Sequence, residues 1–244
     1  MTIKEKIIKT LKEMQETDER LHTICYQLYT EIKNIIVEVC EHLSKIQAQM
    51  PDYDKHDKVH SEKVIENIES LLQEEGINNL TLLEAMMIEL CGYFHDTGMA
   101  LPDWSFKLLE DVEGENYTFH SNKPITTISA ELRTKPGMMR KKYDEVKDLF
   151  FCPDSESELF SFLAQEIWDY ERYRMGLSDP PPGVNRTTYL LETRQEYLRS
   201  THGRRSQNYA KNISNKLSIL GEYDSGVIAE SVGIICCGHI QDIK

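Results

Sequence analysis

The sequence predicts a mostly α-helical protein, a helical bundle with a long N-terminal helical extension. Apolar residues recur at spacings of three and four along most of the 244 residues, as they do on the buried face of a helix. Alternating patterns typical of strands are scarce, and no internal repeat is present. With 40% hydrophobic and 28% charged residues, the composition is that of a soluble globular chain that can bury a large core.

The N-terminal extension, residues 1–48, is predicted to be helical almost throughout. Apolar residues follow a helical spacing from Ile3 to Met14 and again from Leu21 to Ile46. Thr17 and Asp18 interrupt this pattern, and Asp18 is suited to cap a second helix. We therefore expect two consecutive long helices before the turn-rich segment MPDYDKHDK.

Further helices are predicted from about His60 to Gln73, ended by Gly76, and from about Thr81 to Phe94. The segment PITTISAEL, residues 124–132, is the best strand candidate. Helical spacing returns in residues 145–151, 156–175, 185–200, 207–220 and 226–240.

The charge distribution limits the class of partner. A net charge of −13 disfavours binding to duplex nucleic acid or to an anionic membrane. Between Arg186 and Lys216, however, seven basic residues stand against two acidic ones. This basic segment favours capture of a small anion, and the alternative is a solvated helix face with paired charges.

The cysteines and the N-terminus predict a cytoplasmic protein. The six cysteines lack C-x-x-C spacing, which favours reduced core residues over disulfides or a zinc site. The charged N-terminus is unlike a secretory signal, and no apolar run is long enough to span a membrane.

The segment YFHDTGMA places His95 and Asp96 at the end of an apolar helix. A buried carboxylate without a partner or a metal is costly, so the pair suggests part of a metal site, or alternatively a polar helix end. His239 ends another apolar helix in the same way. His56 and His60 share one helix face if that helix begins by His56. His202 lies in the basic segment.

These residue types favour hydrolysis assisted by one or two divalent transition metals. A metal held by imidazoles and carboxylates lowers the pKa of bound water to about 7, and two metals can clamp both reacting oxygens of a phosphoryl group. Mixed shells of this kind favour Mn, Fe, Co, Ni or Zn over Mg or Ca.

The order of these residues resembles the HD-domain superfamily of metal-dependent phosphohydrolases. His60 is followed about 35 positions later by His95-Asp96, and then by further histidines. HDKVHSEKV resembles the helix start of the cyclic-nucleotide phosphodiesterases in that superfamily. HSEKVIENI and LRSTHGRRS are most similar to the HD-CE branch, whose domain often precedes a chaperone-like (GHKL) ATPase module. The resemblance covers residues 50–244, which implies an HD-like hydrolase domain at 49–244.

The resemblance implies roles for individual residues. The metal ligands would be His60, His95, Asp96, His202, His239 and Asp242. Asp96 would bridge two metals, and His56 would donate a proton to the leaving group. Arg204 and Arg205 would clamp a phosphate, with Lys63 as a further candidate for that role.

The sequence departs from the family pattern in two places. Asp242 is the only aspartate after His239, so the closing aspartate is either Asp242 or lies beyond a chain that we expect to be a fragment of a longer multidomain protein. Asp96 and His202 are separated by about 106 residues, which predicts an insert at about residues 100–190. His120, within that insert, is an alternative to His202 as a ligand.

The leading functional hypothesis is a metal-dependent phosphohydrolase or phosphodiesterase that cleaves a nucleotide or another small phosphoester with metal-activated water. Single-stranded nucleic acid passing the basic segment is a further candidate substrate. The alternative is a non-catalytic ligand-sensing or assembly module that regulates an attached ATPase domain, with the N-terminal helices mediating oligomerisation. A third hypothesis is an oxygenase with a di-iron shell of the same ligand types.

Overall fold

A computed structural model describes residues 1–53, 55–113, 123–134, 155–177 and 181–238. These residues are predominantly α-helical, and no strand occurs among them. The mostly α fold class is therefore confirmed. No helix in the described part of the chain is both long enough and apolar enough to cross a membrane.

The helices follow one another along the chain with two 3-10 turns between them. They are α1 (Ile3–Thr17), α2 (Glu19–Leu43), α3 (Ile46–Gln49), α4 (Lys58–Asn79), α5 (Leu82–Phe94), α6 (Asp103–Val112), α7 (Ile125–Thr134), α8 (Glu156–Met175), α9 (Arg186–Ala210) and α10 (Glu222–Gly238). The 3-10 turns are Thr97–Met99 and Lys211–Lys216. The second turn replaces part of the helix predicted at 207–220.

Two consecutive helices form the N-terminus, as the sequence predicts. Asp18 separates them and caps α2 by accepting a hydrogen bond from the Leu21 backbone N–H at 3.0 Å. Ile3, Ile7 and Leu11 form the buried stripe of α1. This stripe is the apolar spacing that predicted the helix.

Helix α4 begins close to the predicted position and is broken at the residue where its end was predicted. The Asp57 side chain caps it, so the helix starts at Lys58 and His56 lies before it. The first helical segment ends at a break at Gln73, with φ of 57°, which agrees with the predicted end at about Gln73. Further helical residues follow the break and continue past Gly76 to Asn79, so the prediction that Gly76 ends the helix is wrong.

Helix α5 is the central helix of the part of the fold that carries the candidate site. Thr81 and Glu84 form a capping box at its start. The helix is buried on most of its circumference and packs against α1, α2, α4 and α10. A helix that is apolar nearly all round requires such a position.

The strand predicted for PITTISAEL is wrong, because these residues form most of helix α7. Ile128 and Leu132 are buried at a helical spacing of four, and the helix packs against α8. Isoleucine and threonine favour strands only weakly, and burial of one helical face overrides that preference.

The chain divides into two compact units. Unit 1 contains residues 1–100 and the described residues from Thr201 onward, and unit 2 contains residues 101–200. Helices α1 and α2 belong to the same unit as α4 and α5. The domain boundary expected at residue 48 and the insert expected at about residues 100–190 stay predictions.

Candidate metal centre

The carboxylate of Asp96 is the centre of a cluster of imidazoles in unit 1. His95 Nε2 lies 2.9 Å and His60 Nε2 3.2 Å from Asp96 Oδ2. His202 Nε2 lies 3.5 Å from Oδ1, the other carboxylate oxygen. Asp96 itself is 3% exposed, so bulk water contributes little to stabilising its charge. The cluster offers three nitrogen donors around one buried carboxylate.

The start of α4 brings two histidines to this cluster. His60 is the third residue of the helix, and His56 lies just before the Asp57 cap. Their rings are 4.6 Å apart between centroids, although His56 is not helical. Ligand atoms of His56, His60 and Asp96 all lie within 4.8 Å of one another. His56 can therefore be considered as a ligand as well as a proton donor.

The orientation of His95 is set by the last turn of α5. Its Nδ1 lies 2.9 Å from the Gly92 carbonyl oxygen, which can only accept a hydrogen bond, so Nδ1 carries a proton. In the neutral imidazole, Nε2 then presents a lone pair toward the anionic oxygen of Asp96. Two facing lone pairs at 2.9 Å require a cation, either a second proton on the ring or a metal ion. This geometry fits a metal ligand with its second nitrogen hydrogen-bonded.

The charge state of Asp96 is consistent with a ligand role. Burial by itself raises the pKa of this carboxyl, but hydrogen bonds with His60 and His95 and the positive charge that His95 and His56 can carry lower it more strongly. The net effect holds the pKa of Asp96 well below its usual range. Asp96 is therefore an anion at neutral pH, as metal coordination requires.

Helix α9 delivers His202 to the cluster through contacts with the turn that follows Asp96. The Ser206 hydroxyl donates to the His95 carbonyl oxygen at 2.9 Å and accepts from the Gly98 N–H at 2.8 Å. Arg205 Nε donates to the Gly98 carbonyl oxygen. These bonds fix one turn of α9 against residues 95–98.

Gly98 allows this close approach. A Cβ atom at this position would lie 1.9 Å from the His202 carbonyl oxygen and 2.6 Å from the Ser206 backbone nitrogen. Both neighbours are backbone atoms of α9, so any side chain at residue 98 would push the helix away. The short distance between His202 and Asp96 therefore depends on glycine at this position.

Comparison with known proteins shows the family of the chain. A family model described as HD-CE matches residues 50–244, which is more than half of the chain. The chain belongs to the HD-CE family. No curated protein and no solved structure shows a significant match to it.

Of the ligands expected for an HD-CE protein, four meet at the cluster: His60, His95, Asp96 and His202. His239 and Asp242 lie outside the described residues, as does His120. The contact between His202 and Asp96 favours His202 in the choice between His202 and His120. The position of a closing aspartate stays a prediction.

The role of Arg204, Arg205 and Lys63 as a phosphate clamp stays a prediction, and the three side chains differ in burial and in their contacts. Arg205 is fully buried and holds the Gly98 carbonyl oxygen and the Thr201 hydroxyl, so its guanidinium braces the fold. Arg204 is half-buried and lies about 200° around α9 from His202, on another side of the helix. Lys63 is 67% exposed in its side chain and pairs with Glu66 at 2.8 Å.

The basic segment between residues 186 and 216 is partly neutralised. Arg194 is buried and paired with Glu110 and Glu113, with 3.3 Å between the charged atoms in each pair. Arg199 pairs with Glu196, and Lys216 pairs with Glu38. These contacts fit the alternative of paired charges better than an open anion-binding surface.

The residues that position the candidate ligands were not predicted from the sequence. Gly98 follows the His-Asp pair closely, and a glycine there could have suggested a close backbone contact. Ser206 lies 111 residues after His95, and no local pattern connects the two. Only the packing of α9 in unit 1 shows their relation.

Proposed function

We propose that this protein is a metal-dependent phosphohydrolase that cleaves a nucleotide or another small phosphoester. The observation that carries the proposal is the convergence of His60, His95 and His202 on the buried carboxylate of Asp96. Membership of the HD-CE family supports the same reaction class.

The residues that would hold a metal are His60, His95 and Asp96, with His202 on the other carboxylate oxygen. Three imidazoles and one carboxylate favour a borderline transition metal such as Mn, Fe, Co, Ni or Zn. When bound, one or two such ions would polarise a phosphoryl oxygen and lower the pKa of water. The hydrogen bond from His95 Nδ1 to Gly92 would keep the His95 ring in its ligating orientation.

His56 is the residue suited to move a proton. Its imidazole is half-buried just before α4, next to His60. A protonated ring nitrogen there would supply the proton that a leaving oxygen needs. If His56 is a ligand instead, its removal will lower metal content and not only turnover.

Metal content and phosphoesterase assays on the same purified samples test the proposal. Bound metals would be measured by mass spectrometry. Turnover would be measured with bis-p-nitrophenyl phosphate and with a panel of nucleotides, in assays to which Mn²⁺ or Ni²⁺ is added. We expect Asp96→Asn and His95→Ala to lose both metal and turnover. His56→Ala should keep the metal and lose turnover. His22→Ala, a half-buried histidine near the start of α2, is the matched control and should keep both.

Two results would contradict the proposal in different ways. If Asp96→Asn and His95→Ala kept the metal content of the wild type, these residues would not be metal ligands, and the proposed metal centre would be wrong. The second result is a metal-loaded wild-type protein that hydrolyses no member of the panel. It would favour a ligand-sensing or assembly module that regulates an attached ATPase domain.

A further inference from the structure

The turn after Asp96 is held from a second side by a residue of the N-terminal extension. His42, in the last turn of α2, is 4% exposed. Its Nε2 lies 2.9 Å from the Thr97 carbonyl oxygen and 3.1 Å from that of Ala100. Both partners are acceptors, so Nε2 carries the proton and donates to both. One imidazole N–H thereby joins the two ends of the 3-10 turn that leaves Asp96.

The position of the His42 ring is also fixed by α9. The ring packs edge-on against Tyr209, with 5.7 Å between centroids and an interplanar angle of 83°. Tyr209 lies one turn after the Arg205 and Ser206 pair that binds the other side of the same turn. The turn is therefore enclosed by α2 on one side and by α9 on the other.

One face of helix α2 is also anchored to the chain at residues 216–219 through Glu31 and Glu38. Glu38 pairs with Lys216 at 3.1 Å, and Glu31 accepts from the Ser218 hydroxyl and from the Ile219 N–H. Glu31, Glu38 and His42 are spaced by seven and four residues, which places them along one side of the helix. This polar edge lies beside the apolar stripe that packs α2 in the core.

The family match begins at residue 50, after α2 has ended. The contact from His42 therefore reaches the turn next to the candidate metal centre from a segment outside the matched region. We propose that His42 is a positioning residue, and that helix α2 completes the candidate metal centre by holding the turn that follows Asp96. This inference rests on the proposed metal centre and assigns a role to the N-terminal extension.

The physical reason is the position of two buried carbonyl groups. Without a donor, the Thr97 and Ala100 oxygens would be left in a site from which water is excluded, and the turn would move to satisfy them. Asp96 directly precedes this turn, so such a movement would change its distance from the ligands on α4 and α9. Loss of a residue that orients metal ligands typically lowers metal affinity by 10–100-fold.

Hydrogen exchange and metal titration of three variants test this role. His42→Leu removes the donor while keeping an apolar side chain of similar size. His42→Gln offers amide N–H groups that can replace Nε2–H. His22→Leu, on the same helix and away from the turn, is the matched control. Each protein would be studied without metal by exchange of residues 95–101, and then titrated with Mn²⁺ or Ni²⁺.

We expect His42→Leu to exchange faster at residues 95–101 and to bind the metal about tenfold more weakly. His42→Gln should recover most of both losses, and His22→Leu should match the wild type. Wild-type exchange and affinity in His42→Leu would overturn the inference. So would faster exchange throughout unit 1 with no recovery in His42→Gln, which indicates a general packing defect.

The exchange measurement needs no metal, so it is independent of the proposed function. Faster exchange confined to the turn, in a protein whose wild type binds no metal, would support the role of His42 in holding the turn. The same result would overturn the proposed metal-dependent function, and with it the part of the inference in which α2 completes a metal centre.

Discussion

Asp96 is the residue on which the candidate site depends, and its properties come from opposing local effects. Burial disfavours its charge, whereas the surrounding imidazoles favour it, and the imidazoles have the larger combined effect. The Gly92 carbonyl oxygen fixes the proton of His95 on Nδ1, so that Nε2 faces the carboxylate. This arrangement is stable only with a proton or a metal ion near the carboxylate.

Gly98→Ala should be among the most damaging single substitutions in unit 1. The added methyl group would lie within 1.9 Å of the His202 carbonyl oxygen, a backbone atom that cannot rotate away. We expect the free energy of unfolding to fall by about 3 kcal/mol or more, as for overpacking that forces a backbone shift. Urea unfolding followed by circular dichroism would measure this change.

Gly226→Ala is the control for the glycine substitution. Gly226 lies within α10, and a Cβ there would meet nothing within 4 Å. Alanine should therefore stabilise the helix by roughly 0.5–1 kcal/mol. Equal effects of the two substitutions would show that α9 and the turn after Asp96 are not in such close contact.

At the level of elements, helix ends position the site. The Asp57 cap starts α4 so that His60 lies in its first turn, and the capping box at Thr81 starts α5. From Leu82 to His95 the chain makes nearly four helical turns, which carry the His-Asp pair to the end of α5. Because both helices have defined ends, His56 and His60 near the start of α4 lie close to the His-Asp pair at the end of α5.

Gln73→Gly should stabilise α4. Gln73 has φ of 57° and ψ of 176°, a backbone conformation that is populated almost only by glycine. Relief of roughly 1–3 kcal/mol of strain should exceed the entropic cost of glycine, roughly 0.5–1 kcal/mol. We expect a net gain of about 1 kcal/mol in the free energy of unfolding, measured by urea denaturation.

Gln73→Ala is the matched control, because alanine keeps the strained conformation and should change stability by less than about 0.5 kcal/mol. A loss of stability in Gln73→Gly, similar to that of a glycine inside a regular helix, would show that residue 73 is helical in solution.

At the scale of the whole molecule, the candidate ligands lie in one of the two compact units. His60, His95, Asp96 and His202 all belong to unit 1, although His202 is separated from the others in sequence by the residues of unit 2. A metal that binds the native state alone stabilises it by about 2.7 kcal/mol at one hundred times its dissociation constant. This stabilisation should be local to unit 1.

Hydrogen exchange in the presence of Mn²⁺ or Ni²⁺ should therefore separate the two units. We expect slower exchange at residues 95–98 and 202–206 with metal, and unchanged exchange in α8 of unit 2. Asp96→Asn should show no response to the metal. Equal protection of both units, or protection that persists in Asp96→Asn, would contradict a metal centre at this carboxylate.

The sequence by itself determined the helical class, the two N-terminal helices with their Asp18 cap, and the adjacent His95 and Asp96 at the end of an apolar helix. These features are local, since periodicity, caps and adjacent residues are visible within one or two turns of helix. His60 and His202 are distant in sequence, and only the family resemblance indicated them as partners of that pair. It did not determine the helical residues that follow the break at Gln73 in α4, or the helical state of residues 125–134, where burial outweighs local preference. Only the tertiary structure decided that Arg205 braces the turn, that Gly98 admits α9, and that His42 holds the turn from α2. The two residues in each of these contacts are separated by 55 to 111 positions in the sequence. Packing in the folded core brings such pairs together, and no local sequence pattern indicates them.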